Sequence, residues 1–95
     1  MTDPTLLVLA SLADGNKHGY AMMEDIQQFA GVLLGPGTLY GAITRLEQRG
    51  WIRQVPTEDR RQPHALTPSG RAFLELQVAA LDQVVRTALV RLKHA

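Results

Sequence analysis

With 95 residues, no cysteine and a formal net charge of +1, the chain has room for one domain built on one modest core. The missing thiols exclude a disulfide framework and a thiolate metal site, and 45% hydrophobic with 20% charged residues is globular composition rather than disorder. No apolar run approaches a membrane span and no basic stretch precedes the first one, so the expected location is the cytoplasm, with no membrane partner.

The charge is unevenly spread. Up to Ala30, Asp3, Asp14, Glu24 and Asp25 face only Lys17, a net of −3. Gly31 to Thr44 carries no charge, and from Arg45 onward nine basic residues stand against five acidic ones, a net of +4. That asymmetry is compatible with an electropositive face for nucleic acid.

In chain order, Asp3-Pro4 reads as an N-cap followed by proline at the first helical position. Leu6, Leu7, Leu9, Ala10 and Leu12 continue at helical spacing until Asp14-Gly15-Asn16. A second helix starts near His18-Gly19-Tyr20 and runs to Phe29, with Tyr20, Met23, Ile26 and Phe29 or Ala30 recurring every three or four residues and Gly31 as terminator. Val32-Leu33-Leu34 is expected as a buried apolar linker. Gly35-Pro36-Gly37 opens a third helix, predicted over Pro36 to Arg49 and closed by Gly50. Its Leu39, Ala42, Ile43 and Leu46 share one face. The opposite face carries Gly37, Thr38, Gly41, Thr44, Arg45 and Gln48, with Tyr40 on the flank.

Trp51 to Val55 reads as a strand, and Pro56 to Pro63 as a polar loop with Glu58, Asp59, Arg60 and Arg61. His64 to Thr67 is a weaker second strand, confined to an edge by the missing donor of Pro63. Thr67-Pro68 then caps a long helix. Its Leu74, Val78, Leu81, Val85, Ala88 and Leu92 alternate by four and three as a heptad seam. Phe73, Leu76, Ala80, Val84 and Leu89 widen it beyond what packing on a small domain needs, so a homodimer interface is predicted there. The expected division is residues 1–67 for a DNA-binding unit and 68–95 for the dimerisation helix.

Three short helices and a two-stranded hairpin, in that order, are the elements of a mainly α winged helix-turn-helix. A solvated surface helix normally carries many Lys and Glu residues; the third helix offers Gly, Thr and Gln with one Arg, which lets the backbone come close to DNA. Its N-terminal N–H groups present partial positive charge to phosphate. Thr38 and Thr44 suit phosphate or a thymine methyl, Arg45 suits phosphate or guanine, and Gln48 suits adenine. Arg60 and Arg61 suit the minor groove or the backbone. Each signal taken singly also has a plain reading, a subunit contact for the helix face and a solvated turn for the arginine pair.

The residues resemble the PadR-like family of bacterial transcriptional regulators. The likeness runs through Leu6-Leu7-Val8-Leu9 and His18-Gly19-Tyr20 and is sharpest at Pro36-Gly37-Thr38-Leu39-Tyr40. It continues through Arg45-Leu46-Glu47 to Gly50, then Arg60-Arg61 and Leu66-Thr67-Pro68-Ser69-Gly70. The resemblance implies a winged-helix homodimer, paired through its last helix with help from the first, that binds a palindromic double-stranded operator and represses a neighbouring efflux, detoxification or stress gene. It also implies that Thr38 and Tyr40 lie at the DNA surface with the basic wing beside them. Two positions depart from the family pattern: Gln62-Pro63-His64-Ala65 replaces a commonly aromatic or basic strand, and Gly35 stands where Ser is common.

No catalytic residue, metal or cofactor is expected. His18, His64 and His94 are scattered and no His pairs with a carboxylate at zinc-helix spacing, while Gly35-Pro36-Gly37 lacks the Lys of a phosphate loop. His18 reads as a helix-start residue, packing or capping locally, rather than a ligand. The rival to DNA binding is a winged helix that binds protein through the same surface. A small-molecule effector is compatible with either, with Trp51, Met22, Met23 and Phe29 as pocket candidates or, more plainly, as core residues.

Overall fold

The computed structural model describes residues 3–95. Helix α1 (Pro4–Leu12) begins at Asp3, whose carboxylate accepts from the Thr5 N–H at 2.9 Å and from the Thr5 hydroxyl at 2.8 Å. These two bonds, with a smaller attraction from Arg45, hold the Asp3 carboxyl below its ordinary 3.8. α1 packs against the second, third and fourth helices at once, which is why it is apolar nearly all round rather than striped. It buries Leu7, Val8, Leu9 and Leu12, and its one buried hydroxyl, Ser11, donates to Asp25 at 2.7 Å.

Helix α2 (Gly19–Ala30) is capped by His18, whose Nδ1 accepts from the Ala21 N–H at 3.3 Å. Its buried side chains are Met22 and Ile26, while Tyr20 and Phe29 are exposed. The expected stripe holds at Ile26, with Met23 and Ala30 packed half-buried against the core, and is corrected at Tyr20 and Phe29: the buried face runs through Gly19, Met22 and Ile26, because α2 comes in with its glycine against helix α3 (Pro36–Gln48). The linker is corrected too. Leu34 is buried in the core and Val32 packs half-buried against it, but Leu33 is 74% exposed. α3 ends as predicted within a residue, with Gly50 in the left-handed region at φ +73°, and buries Leu39, Ala42, Ile43 and Leu46. Burial of each leucine or isoleucine among them contributes about 1.5–3 kcal/mol.

Three strands follow an order that the sequence did not announce. β1 (Lys17–His18), β2 (Ile52–Gln54) and β3 (Pro63–Leu66) form an antiparallel sheet in the order β1-β3-β2. Lys17 lies opposite His64 and His18 opposite Pro63, while Arg53 lies opposite Ala65. The expected two-stranded wing thus gains a third strand, and β3 is central rather than an edge. Pro63 is tolerated there because it is the strand's first residue, and its carbonyl accepts from the Val55 N–H at 3.0 Å. The Gln62 amide closes the base of the wing, donating to the carbonyls of Val55 at 2.7 Å and Pro63 at 2.8 Å.

Helix α4 (Pro68–Lys93) is rooted by its first turn. The Thr67 hydroxyl accepts from the Gly70 N–H at 3.0 Å and donates to the Gly50 carbonyl at 2.7 Å, joined there by Ser69 at 2.9 Å. The Thr67 N–H donates to the Trp51 carbonyl at 3.0 Å. A Cβ at position 70 would stand 1.9 Å from that same carbonyl oxygen, so only glycine allows the helix to start this close to β2. Trp51 then stacks on Phe73, centroids 3.7 Å apart, and Leu74 joins the core. Beyond Leu74 no residue of α4 is buried.

Candidate nucleic-acid interface

Turning four aliphatic side chains inward leaves α3 with an outer surface of small and polar groups. Gly37, Thr38, Tyr40, Thr44, Arg45 and Gln48 are exposed and Gly41 is half-buried. The Gly35 cap offers no side-chain bond, the first turn holds no acidic residue, and the positive end of the helix is left open to an anion. Thr44 already donates its hydroxyl proton to the Tyr40 carbonyl at 2.9 Å. Its methyl and its lone pairs therefore remain for a partner, but not its proton. Arg45 folds back along the helix, with a guanidinium nitrogen 3.4 Å from where a Cβ on Gly41 would stand.

Tyr40 leans away from α3 toward the start of α2. A Cβ on Gly19 would come within 2.5 Å of its hydroxyl, so the glycine makes room for the ring. There Tyr40 meets Arg60 and Arg61 of the wing around a depression of about 380 Å³ whose other walls include His18, Tyr20 and His64. The Arg61 guanidinium sits 5.9 Å from the Tyr20 ring centroid, with Nη1 3.4 Å from His18 Nε2. His64 is buried and its Nδ1 has no partner among the described residues. Burial pushes its imidazole below its ordinary 6.5, partly offset by the Glu47 carboxylate.

The residues singled out from the sequence thus fall into two places. Tyr40, Arg60 and Arg61 are brought together. Arg45 borders a separate depression of about 420 Å³ with Asp3, Arg49, Trp51 and Phe73, where the Arg49 guanidinium lies 5.2 Å from the Trp51 ring centroid. Met22 is fully buried in the core, Met23 packs against it, and Phe29 is exposed on α2; none of the three joins Trp51 at that depression. On α4, Val78, Leu81, Val85, Ala88 and Leu92 are exposed, while Leu74, predicted with them, is only 8% exposed and packs in the core.

The family model described as the transcriptional regulator PadR-like family matches residues 8–76, from within α1 to the early turns of α4. The chain belongs to the PadR-like family. It is a family of transcriptional regulators, not of enzymes. Over 92 residues the chain is 32% identical to the transcriptional regulator Rv3488 of Mycobacterium tuberculosis, covering 94% of this chain and 85% of the relative. It is 46% identical over 82 residues to an uncharacterized 37.1 kDa protein in transposon TN4556 of Streptomyces fradiae, covering 86% of this chain but only 24% of that protein. The chain therefore spans about a quarter of the transposon relative. A PadR family transcription regulator from hypervirulent Clostridium difficile R20291 has the same fold, with a TM-score of 0.82 at 21% identity over 90% of this chain and 94% of the other.

Within the PadR-like chain, the residues least visible beforehand are Tyr20 and His64. Tyr20 sits where helical spacing suggested core, and His64 in a strand with no alternation to mark its inner side. The pairing of β1 with β3 places both on the Tyr40 depression. No group of three or more His, Cys, Asp or Glu side chains that could hold a metal ion occurs among the described residues, and no helix is long and apolar enough to cross a membrane.

Proposed function

We propose that this PadR-like regulator binds palindromic double-stranded operator DNA in the cytoplasm as a homodimer and represses transcription. The observation that carries the reading is the pairing of an α3 surface made of Gly, Thr and Gln with a neighbouring depression that gathers Tyr40, Arg60 and Arg61. In this reading Gly37 and Gly41 allow close approach, Thr38 and Tyr40 meet the phosphate backbone, Thr44 turns its methyl to a base edge, and Arg45 and Gln48 face base edges or phosphates. Arg60 and Arg61 grip the adjoining groove or backbone. One protomer carries few cations, so affinity depends on doubling the surface.

The doubling falls to α4. Its second half exposes Leu81, Val84, Val85, Leu89, Val90 and Leu92, each 47–72% accessible. An unsupported helix of that length is marginal in water, and an apolar stripe of this size marks an association surface. Residues 1–67 then read DNA and residues 68–95 pair the readers, apart from the root of α4 in the core. A small-molecule effector has room in the depression beside Trp51 and Phe73, where it would press on Arg45 and Arg49 at the end of α3.

Selection of bound DNA from a random pool at two salt concentrations tests the reading. The expected result is a palindromic consensus with half-sites about one helical turn (about 34 Å), or a multiple of it, apart. On that site, Arg45→Ala, Arg60→Ala and Arg61→Ala should each lower the salt slope by about one where a phosphate contact is lost. No enrichment at either salt overturns DNA binding and favours a protein partner.

A further inference from the structure

The wing tip is not basic as a whole. Glu58 and Asp59 cancel Arg60 and Arg61, and a neutral loop has little long-range pull on DNA. Yet neither arginine pairs with its acidic neighbours: the ion pairs among the described residues are Lys17–Asp14 and Arg86–Asp82. Arg61 instead turns back toward α2, over Tyr20 and beside His18, into the depression shared with Tyr40. From this placement we propose that Tyr20, assisted by His18, is a positioning residue that holds the Arg61 guanidinium in the Tyr40 depression before any ligand arrives. The consequence for DNA binding rests on the reading above, in which Arg61 meets the DNA backbone.

The chemistry sorts the two partners. The face of a phenol ring attracts a guanidinium, and Tyr20, 56% exposed, presents its ring to Arg61 at the rim of the depression. His18 contributes differently. Its Nδ1 faces the Ala21 N–H and its Nε2 faces Arg61, both groups being donors, while a neutral imidazole has one lone pair to offer. The α2 cap and Arg61 therefore share a single acceptor. Tyr20 supplies the steady hold, and His18 returns wholly to capping α2 when Arg61 leaves for a phosphate. An arginine already ordered loses less side-chain freedom on binding, a gain of about three- to tenfold in affinity.

The test compares the wild-type protein with Tyr20→Leu, Tyr20→Phe, Arg61→Ala and the Tyr20→Leu/Arg61→Ala double variant, with thermal melting to confirm that all fold. In the free protein, ¹⁵N relaxation of the Arg61 Nε–Hε group should show faster motion in Tyr20→Leu and the wild-type value in Tyr20→Phe. On the selected operator, Tyr20→Leu should weaken binding about three- to tenfold with its salt slope unchanged, and this loss should vanish in the Arg61→Ala background. Unchanged Arg61 motion in Tyr20→Leu overturns the proposal, as does an equal loss of affinity with Arg61 already absent. If Arg61→Ala leaves affinity intact while Tyr20→Leu still frees the side chain, the DNA contact assigned to Arg61 fails and its positioning stands.

Discussion

α3 and α4 both expose a surface that ordinary solvation does not explain, and the two surfaces are opposites. α3 directs every large aliphatic residue inward and leaves glycine, hydroxyl and amide groups outside; α4, past Leu74, leaves leucine and valine outside. A surface that matches a hydrated, hydrogen-bonding partner is set beside one that matches a second apolar helix. In the proposed reading the difference makes DNA contact and pairing separate properties of separate helices, with α4 rooted where it starts against Trp51.

The firmest way to break the comparison is to disturb that joint. Gly70→Ala places a methyl group on the Trp51 backbone, which cannot swing aside as a side chain could. Loss of about 3 kcal/mol is expected, read as a lower urea midpoint, and an unchanged midpoint would mean that the joint yields. Leu81→Lys combined with Val85→Lys attacks the pairing surface alone. Light scattering should then find a monomer or an unfolded chain, circular dichroism telling the two apart, and a folded monomer should bind the operator about a hundredfold more weakly. A native dimer of undiminished affinity would remove α4 from the interface.

The smallest effect expected sharpens the α3 side. His64 is disfavoured as a cation in the folded chain but not in the unfolded one. The unfolded chain therefore takes up more protons as pH falls below about 6.5. The stability tied to His64 is complete above that value and is lost as pH falls through its lowered folded pKa. His64→Leu should flatten this part of the urea-midpoint profile. Asp3 and Asp14, held below 3.8 by Thr5 and Lys17 respectively, act only at more acid pH and leave a separate, unchanged limb.

Periodicity and caps carry most of what could be read beforehand. Leu39, Ala42, Ile43 and Leu46 lie inside because spacing by three and four repeats on one helical face, and Asp3, His18, Gly35 and Thr67 cap where their chemistry suits an N-terminus. β1 escaped because two residues are too few for alternation, and with it went the central place of β3. Tyr20 misled because its spacing fits the core while its neighbour Gly19, lacking a side chain, is what lets α2 approach Tyr40. The apolar repeat along α4 was legible, but not where it leaves the core: Leu74 satisfies the repeat and is buried in the domain core, a choice made by the depth to which Gly70 lets the helix sink. The meeting of Arg61 with Tyr20 and His18 depends on the turn of the wing, which no local pattern encodes.

The root of α4 is also a fulcrum. Its 26 residues make a rod about 39 Å long fixed at one end. A tilt of about ten degrees beside Trp51 would carry the far end through about 7 Å, two rungs of a DNA ladder. An effector of the kind proposed, seated in the hollow between Arg49, Trp51 and Phe73, would therefore have leverage out of proportion to its size. In the proposed dimer, a shift too small to disturb the core would be multiplied along one helix into a change in how far apart the two DNA-contacting surfaces stand.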